Sequence, residues 1–436
     1  MKNKIILLSI FSVISLNAEV LTFSKAYELA LENTHSLKAS IFKSEGAKER
    51  VNQAKSQLYP QINLSASYKK TEYKYNKNYN ATEDTINQGL INYTLSLKQS
   101  IYNANIYTGI SLEKSKNELY KVGVELEKDE LAQKVFQAYL DVLKINNKIE
   151  LDKAYLRYAK SRLDELAKKY DMYMASKMDL LEMKVDYKSA QIDLKKDKKL
   201  FIVNRLKLKQ LIGNYKYELP SIKPDEHILS TIALIKSSIN KSGDFTNNLQ
   251  LLKAKLSVEV AKKDVHNAFV AHYPTLDLQA SYSGYETDDP TSDSLYKDVK
   301  SVMLLFNLPI YSGGRTSSRV SELQYNVQSA LEEYEDTKKQ IEVIYDENLA
   351  LLDASIESVS MYQEALVSAE LYSESIEQGY EHGLKSIIDV NDAKNKQYNV
   401  KYKYIENIYD LVNSYIGLLI VTNDFKNISL LDKLVK

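Results

Sequence analysis

The chain repeats itself. Residues 45–68 and 259–282 align without a gap at an offset of 214, with eleven identities in 24 positions. Glu45 and Glu259, Lys48 and Lys262, Val51 and Val265, and Ala54 and Ala268 coincide, as do Tyr59-Pro60 with Tyr273-Pro274 and Ala66-Ser67-Tyr68 with Ala280-Ser281-Tyr282. A duplication of this kind makes the 436 residues two copies of one structural unit rather than two or three unrelated domains. In each copy, helical spacing stops at the Tyr-Pro step, because proline has no N–H to continue a helix. Period-two alternation follows: Ile62, Leu64, Ala66 and Tyr68 against Asn63, Ser65 and Ser67, and Leu276, Leu278, Ala280 and Tyr282 against Asp277, Gln279 and Ser281. The pattern predicts strand pairs over 61–75 and 88–102 in the first copy and over 275–287 and 297–311 in the second. Strands of this length suit a tilted crossing of a bilayer.

Long helices are expected next. All six prolines lie outside residues 61–219 and 310–436. Leu131, Val135, Ala138, Val142, Ile145, Ile149, Leu156, Ala159, Leu163 and Leu166 recur at steps of three and four, interrupted by Asp152. That is the period of coiled-coil packing. A shift of 210 gives a more polar seam from Ile341 through Leu352, Val359, Leu366 and Ile376 to Tyr380. Residues 102–172, written as one helix, would span about 105 Å at the standard rise. Each long helix ends in a turn, with Ser176 and Ser386 as N-caps of a returning helix and Asp179 and Asp389 three residues on as capping-box partners. The returning helices are expected to end near Gly213 and Asn423, and residues 21–58 read as one opening helical segment.

Composition removes several function classes. With 58 basic and 58 acidic residues there is no electrostatic footprint for nucleic acid. There is no cysteine, hence no thiolate chemistry and no acylated N-terminal cysteine. The five histidines form no HxxxH or HExxH pair, and neither a phosphate loop nor a nucleophile elbow is present, so no enzyme, metal or cofactor is expected. Lys2, Lys4 and the apolar run 5–16 read as a signal peptide over residues 1–18, and no later stretch is apolar enough for a transmembrane helix. A membrane-embedded form would then be a β-barrel.

These features resemble the TolC-like outer-membrane efflux proteins over nearly the whole chain. The resemblance is carried by the Ala-x5-Pro steps at 54–60 and 268–274 and the strand end Leu308-Pro309-Ile310-Tyr311-Ser312-Gly313-Gly314-Arg315. It is carried also by the tip motif Tyr380-x-x-Gly383-x-x-Ser386-x-x-Asp389-Val390-x-Asp392. It implies a mainly α fold with a membrane β-barrel. Two tandem helix–hairpin–long-helix repeats would give four strands per protomer to a trimeric 12-stranded barrel above a long periplasmic α-helical barrel. The expected organisation is signal peptide 1–18, first repeat 19–213, equatorial connector 214–244, second repeat 245–423 and equatorial tail 424–436.

The resemblance also implies a function. The chain is expected to be a Gram-negative outer-membrane exit duct for efflux or type I secretion, contacting outer-membrane lipid and working as a homotrimer. Its partners would be a periplasmic adaptor (membrane fusion) protein and an inner-membrane transporter of the RND or ABC type. Asp389 and Asp392, one helical turn apart, would ring the closed aperture, although acids in a first turn also simply favour the helix dipole. Asp179, Tyr380 and Lys385 would join the contacts that keep it closed, and Ser176, Gly383 and Ser386 would shape the helix-tip turns. Three departures stand out. Tyr173 occupies the usual glycine of the first tip, Asn103-Ala104-Asn105 replaces a glycine-containing strand end, and Lys385 replaces an arginine capable of bidentate bonding. The alternative from a different class is a periplasmic coiled-coil scaffold or adaptor without a pore.

Overall fold

The structure is a computed structural model that describes residues 19–74, 85–220, 226–238, 245–287, 298–424 and 432. The expected signal peptide and most of the loop between the first two strands lie outside them. The chain divides into two compact units. One comprises Ala39–Glu125 and Leu249–Lys339; the other comprises Met1–Lys38, Leu126–Asn248 and Gln340–Lys436.

The elements, in chain order, begin with β1 (Glu19–Val20), α1 (Phe23–Asn33), α2 (His35–Ser56), β2 (Gln61–Lys74) and β3 (Thr85–Asn103). Then come α3 (Ala104–Asp171), α4 (Lys177–Ile212), β4 (Tyr217–Glu218), α5 (Glu226–Ser238) and α6 (Leu249–Phe269). A 3₁₀ turn, Val270–His272, leads into β5 (Thr275–Thr287), β6 (Asp298–Asn307), α7 (Arg315–Glu381) and α8 (Ile387–Thr422). Helices α3 and α7 have 68 and 67 residues, about 100 Å each at the helical rise.

The first unit is organised on an antiparallel sheet in the order β2-β3-β5-β6. Its register sorts the side chains. Ile62, Leu97, Ala280 and Val302 form one cross-strand row, and Leu64, Leu95 and Tyr282 form the next on the same face. The opposite face carries Asn63, Ser96, Ser281 and Ser301, then Ser65, Thr94 and Ser283. There Ser281 and Ser301 hydroxyls meet at 2.8 Å and Thr94 and Ser283 at 3.1 Å. Among the described residues the apolar face has no cover: Val302 is 77% and Leu64 70% exposed. Gly284 faces Tyr93 across the β3–β5 pair, and a Cβ there would fall 2.3 Å from the tyrosine ring. The glycine lets the ring lie flat over the strand, an arrangement that pins register.

The second unit holds the coiled-coil seam and a compact aromatic core. Seam residues Leu131, Val135, Val142 and Ile149 on α3 and Ile341, Leu352, Val359 and Ile376 on α7 are buried. So is the interrupting Asp152. Strand β1 pairs in parallel with β4. The chain then turns into α1, where Thr22 caps Lys25 N at 3.2 Å. The Phe23 ring meets Tyr139 at 4.7 Å and Phe136 at 5.9 Å between centroids. Tyr139 Oη donates to the Leu21 carbonyl. Asp432 accepts from Phe23 N at 2.8 Å and from Ser24 Oγ at 2.6 Å, so a residue near the C-terminus satisfies the start of the first helix.

Three expectations need correction. Residues 21–58 form two helices, because Asn33 donates its amide to Leu29 O and Ile212 O while Thr34 turns extended. Such side-chain bonds to backbone compete with helix continuation. The last strand stops at Asn307 rather than 311, just before Pro309, which has no ladder donor. Residues 214–244, the expected equatorial connector, include β4 and α5, with Ile232 and Ile235 buried. The capping box is complete only at the second tip. Ser176 accepts from Asp179 N, without the reciprocal bond present between Asp389 and Ser386.

Candidate functional site

The two helix tips share one backbone device. At the first, Tyr173 N bonds Tyr170 O at 2.9 Å and Met174 N bonds Lys169 O at 2.8 Å. At the second, Gly383 N bonds Tyr380 O at 2.9 Å and Leu384 N bonds Gly379 O at 2.7 Å. The offset of 210 is kept bond for bond. The pivot is left-handed in both, with φ of 57° at Tyr173 and 72° at Gly383. The Tyr173 departure leaves the turn's shape unchanged: tyrosine accepts a conformation that favours glycine, with its side chain 98% exposed. Tyr173→Gly should raise the unfolding midpoint by the equivalent of about 1 kcal/mol, the left-handed cost of a side chain, as read by thermal melts.

A polar cluster lies just behind the tips. Arg162 Nη1 donates to Glu165 Oε2 at 2.9 Å, and Arg162 Nη2 pairs with Glu377 of α7. Lys169 Nζ bonds Glu165 Oε1 at 2.8 Å and Tyr380 Oη at 2.9 Å. Lys394 of α8 reaches Glu377 at 3.3 Å. Beneath, Leu166, Met183 and Ile387 form a buried cluster with Leu163, Leu180 and Tyr380 packed on it. Tyr380 also packs on Ile376, Val390 and Ala393. Partial burial opposes ionisation of Glu165, but the bonds from Lys169 and Arg162 hold its carboxyl below the usual carboxylate range.

The predicted residues separate here. Tyr380 joins α3 to α7 through Lys169. Lys385 is exposed, its stem lies over Gly379, and its charge acts on Asp389. Among the described residues, no hydrogen bond or ion pair links Asp179 to Tyr380 or Lys385. Asp389 Oδ2 accepts from Ser386 N and Ser386 Oγ, both at 2.8 Å. The backbone bond first, then the hydroxyl, keeps its carboxyl below the ordinary range. Asp392 is exposed one turn along. Asp389 thus works as a cap, and Asp392 is the freer of the two carboxylates.

Sequence reading did not single out Arg162, Glu165, Lys169, Glu377 or Lys394. Their only signal is opposite charge at spacings of three and four, which recurs along both long helices. Asn103 has a clear local role: its Oδ1 accepts from Asn105 N at 3.0 Å and turns strand β3 into α3. In the second copy Gly313 and Gly314, both left-handed, occupy the strand-to-helix link.

No described helix is long and apolar enough to cross a membrane. A sequence profile described as outer membrane efflux protein matches residues 26–214 and 245–423. Outer membrane protein TolC of Salmonella enteritidis is 28% identical over 402 residues, covering 88% of this chain and 79% of the relative. The protease secretion protein PrtF of Dickeya chrysanthemi is 20% identical over 432 residues, with 96% and 92% covered. The solved structure of CusC, described in terms of transmembrane channel formation, superposes with a TM-score of 0.78 at 16% identity, covering 95% of each chain. The chain belongs to the outer membrane efflux protein family, and it is a TolC-like channel protein of the Gram-negative outer membrane.

Proposed function

We propose that the protein is the passive exit duct of a tripartite efflux or type I secretion system, closed at its periplasmic helix tips. One observation supports this reading: among the described residues, a four-stranded sheet has an uncovered apolar face and two unpaired edges, β2 and β6. Such a sheet has no stable place in water or lipid until its edges are paired and its apolar face meets lipid tails. Three protomers, each pairing β2 with the next protomer's β6, give twelve strands around a pore lined by the Asn, Ser and Thr rows.

The chain brings no energy source of its own to this reading. An inner-membrane transporter of the RND or ABC type drives export, and a periplasmic adaptor joins it to the tips. In the trimer, Asp392 and Asp389 form stacked rings of carboxylates that favour cations at the constriction. The Arg162–Glu377 and Lys169–Tyr380 contacts tie α3 to α7 and support the closed tip, with exposed Lys385 and half-buried Asp179 beside it.

Planar-bilayer recordings of the purified protein test this. The expected result is a small cation-selective conductance that a trivalent cation blocks from one side. Asp389→Asn/Asp392→Asn should lose about tenfold in blocker affinity, since removing charges a few ångströms from a multivalent ion weakens binding on that scale. Conductance with unchanged block would overturn the carboxylate rings. Stable oligomers that never insert would overturn the duct and favour the poreless scaffold.

A further inference from the structure

Asp152 interrupts the heptad seam of α3 and is only 4% exposed. Its Oδ1 accepts from Tyr398 Oη of α8 at 2.5 Å. Its Oδ2 is buried and meets no donor among the described residues. What faces Asp152 is a second carboxyl, Asp197 of α4, 3% exposed and within hydrogen-bonding reach. Asp197 in turn takes Lys148 Nζ of α3 at 2.9 Å. Two ionised carboxylates are acceptors only, so nothing can bond them to each other. A proton on one of them supplies the missing donor.

The surroundings decide which carboxyl carries it. Lys148 supports the charge on Asp197, and its ammonium also lies 5.3 Å from the Tyr402 ring of α8. Among the described residues no ion pair reaches Asp152. Beside its partner Tyr398 stands the Tyr155 ring, 5.3 Å away between centroids. From α4, Asp193 adds negative charge towards Tyr398, and Asp186 lines the same cleft as Asp152. Burial first, with help from Asp197, favours the neutral acid at Asp152 over the opposing Tyr398 bond and Lys148 charge.

We propose that Asp152 and Asp197 share one proton, forming a pH-responsive clasp that joins α3, α4 and α8 when protonated and loosens as pH rises. Asp152 is the acid. Its Oδ1 accepts from Tyr398, its Oδ2–H donates to Asp197, and Asp197 answers Lys148. Both oxygens of Asp152 are then engaged, as buried polar atoms normally are. Loss of the proton leaves two negative charges face to face away from water, a repulsion relieved when α4 moves off α3. Helix α4 returns from the first tip turn and α8 from the second, so the clasp spans both copies of the repeat. It does not depend on the duct reading.

Infrared difference spectra of the purified protein in detergent, wild type minus Asp152→Asn, detect the proton. A protonated-carboxyl band should be present in acid and titrate away as pH rises, with a midpoint of about 6. Asp197→Asn, whose amide can donate to an ionised Asp152, should lower that midpoint by about one unit or more. Amide hydrogen exchange reads the clasp itself. Corrected for intrinsic rates, protection of α3 and α4 around the pair should fall about tenfold per pH unit between about pH 4 and pH 6, the slope of one linked proton. In Asp152→Asn it should stay level. No Asp152-dependent band, or a midpoint that Asp197→Asn leaves in place, would overturn the shared proton. Protection that follows the same course in wild type and Asp152→Asn would overturn the clasp.

Discussion

Phe136→Ala is expected to destabilise the protein by about 3–5 kcal/mol, the range for truncating a fully buried phenylalanine. The Phe136 ring is fully buried on α3, edge-on to Phe23 and tilted against Tyr27 at 5.9 Å. These contacts seat α1, whose Phe23, Ala26 and Ala30 are also wholly buried. The seat can collapse little, because several neighbours are fixed by hydrogen bonds. Tyr139 is tied to Leu21 O, and the start of α1 is held by Thr22 and Asp432. A cavity between braced walls loses packing without regaining it. The measurement is the unfolding midpoint of the purified protein in detergent, beside Phe136→Leu, which keeps much of the volume and should cost markedly less. Equal midpoints for wild type and Phe136→Ala would show that α1 contributes no stability.

The sequence carried the repeat, the alternation of the strands and the returning helices because each rests on a local, periodic signal. Alternation over residues 62–68 and 276–282 is enough to name the apolar face, and register then aligns it across four strands. The break at Thr34 was not legible, since it depends on Asn33 reaching Ile212, 179 residues away. The charged cluster at Arg162, Glu377 and Lys169 was hidden for a related reason. Ion pairs at helical spacing are common, and only packing of α3 on α7 distinguishes one that bridges helices. Asp152 was visible as a fault in the seam, but its meaning lay in which groups surround it. Tyr173 illustrates the converse: backbone geometry imposed by matching turns overrode residue preference.

Asp152→Asn should stabilise the protein at neutral pH by about 3 kcal/mol or somewhat less. Burial, opposed by the Tyr398 bond but reinforced by Asp197, pushes the Asp152 carboxyl from 3.8 up to about 6. A rise of that size separates the two protonation states by about 3 kcal/mol. The folded protein holds this proton more tightly than the unfolded chain does. Between about pH 4 and pH 6 the native state therefore binds more protons, and stability falls as pH rises. Above that window the loss is complete and constant. Asparagine resembles the protonated acid: its oxygen can still accept from Tyr398, and its amide can donate to Asp197. The variant should therefore melt well above wild type at pH 7.5, and the gap should close towards pH 4. Urea or thermal midpoints across that range decide it. A gap that persists at pH 4 would mean packing rather than charge separates the two proteins. A less stable variant at pH 7.5 would mean that Lys148 already neutralises the pair in the folded state.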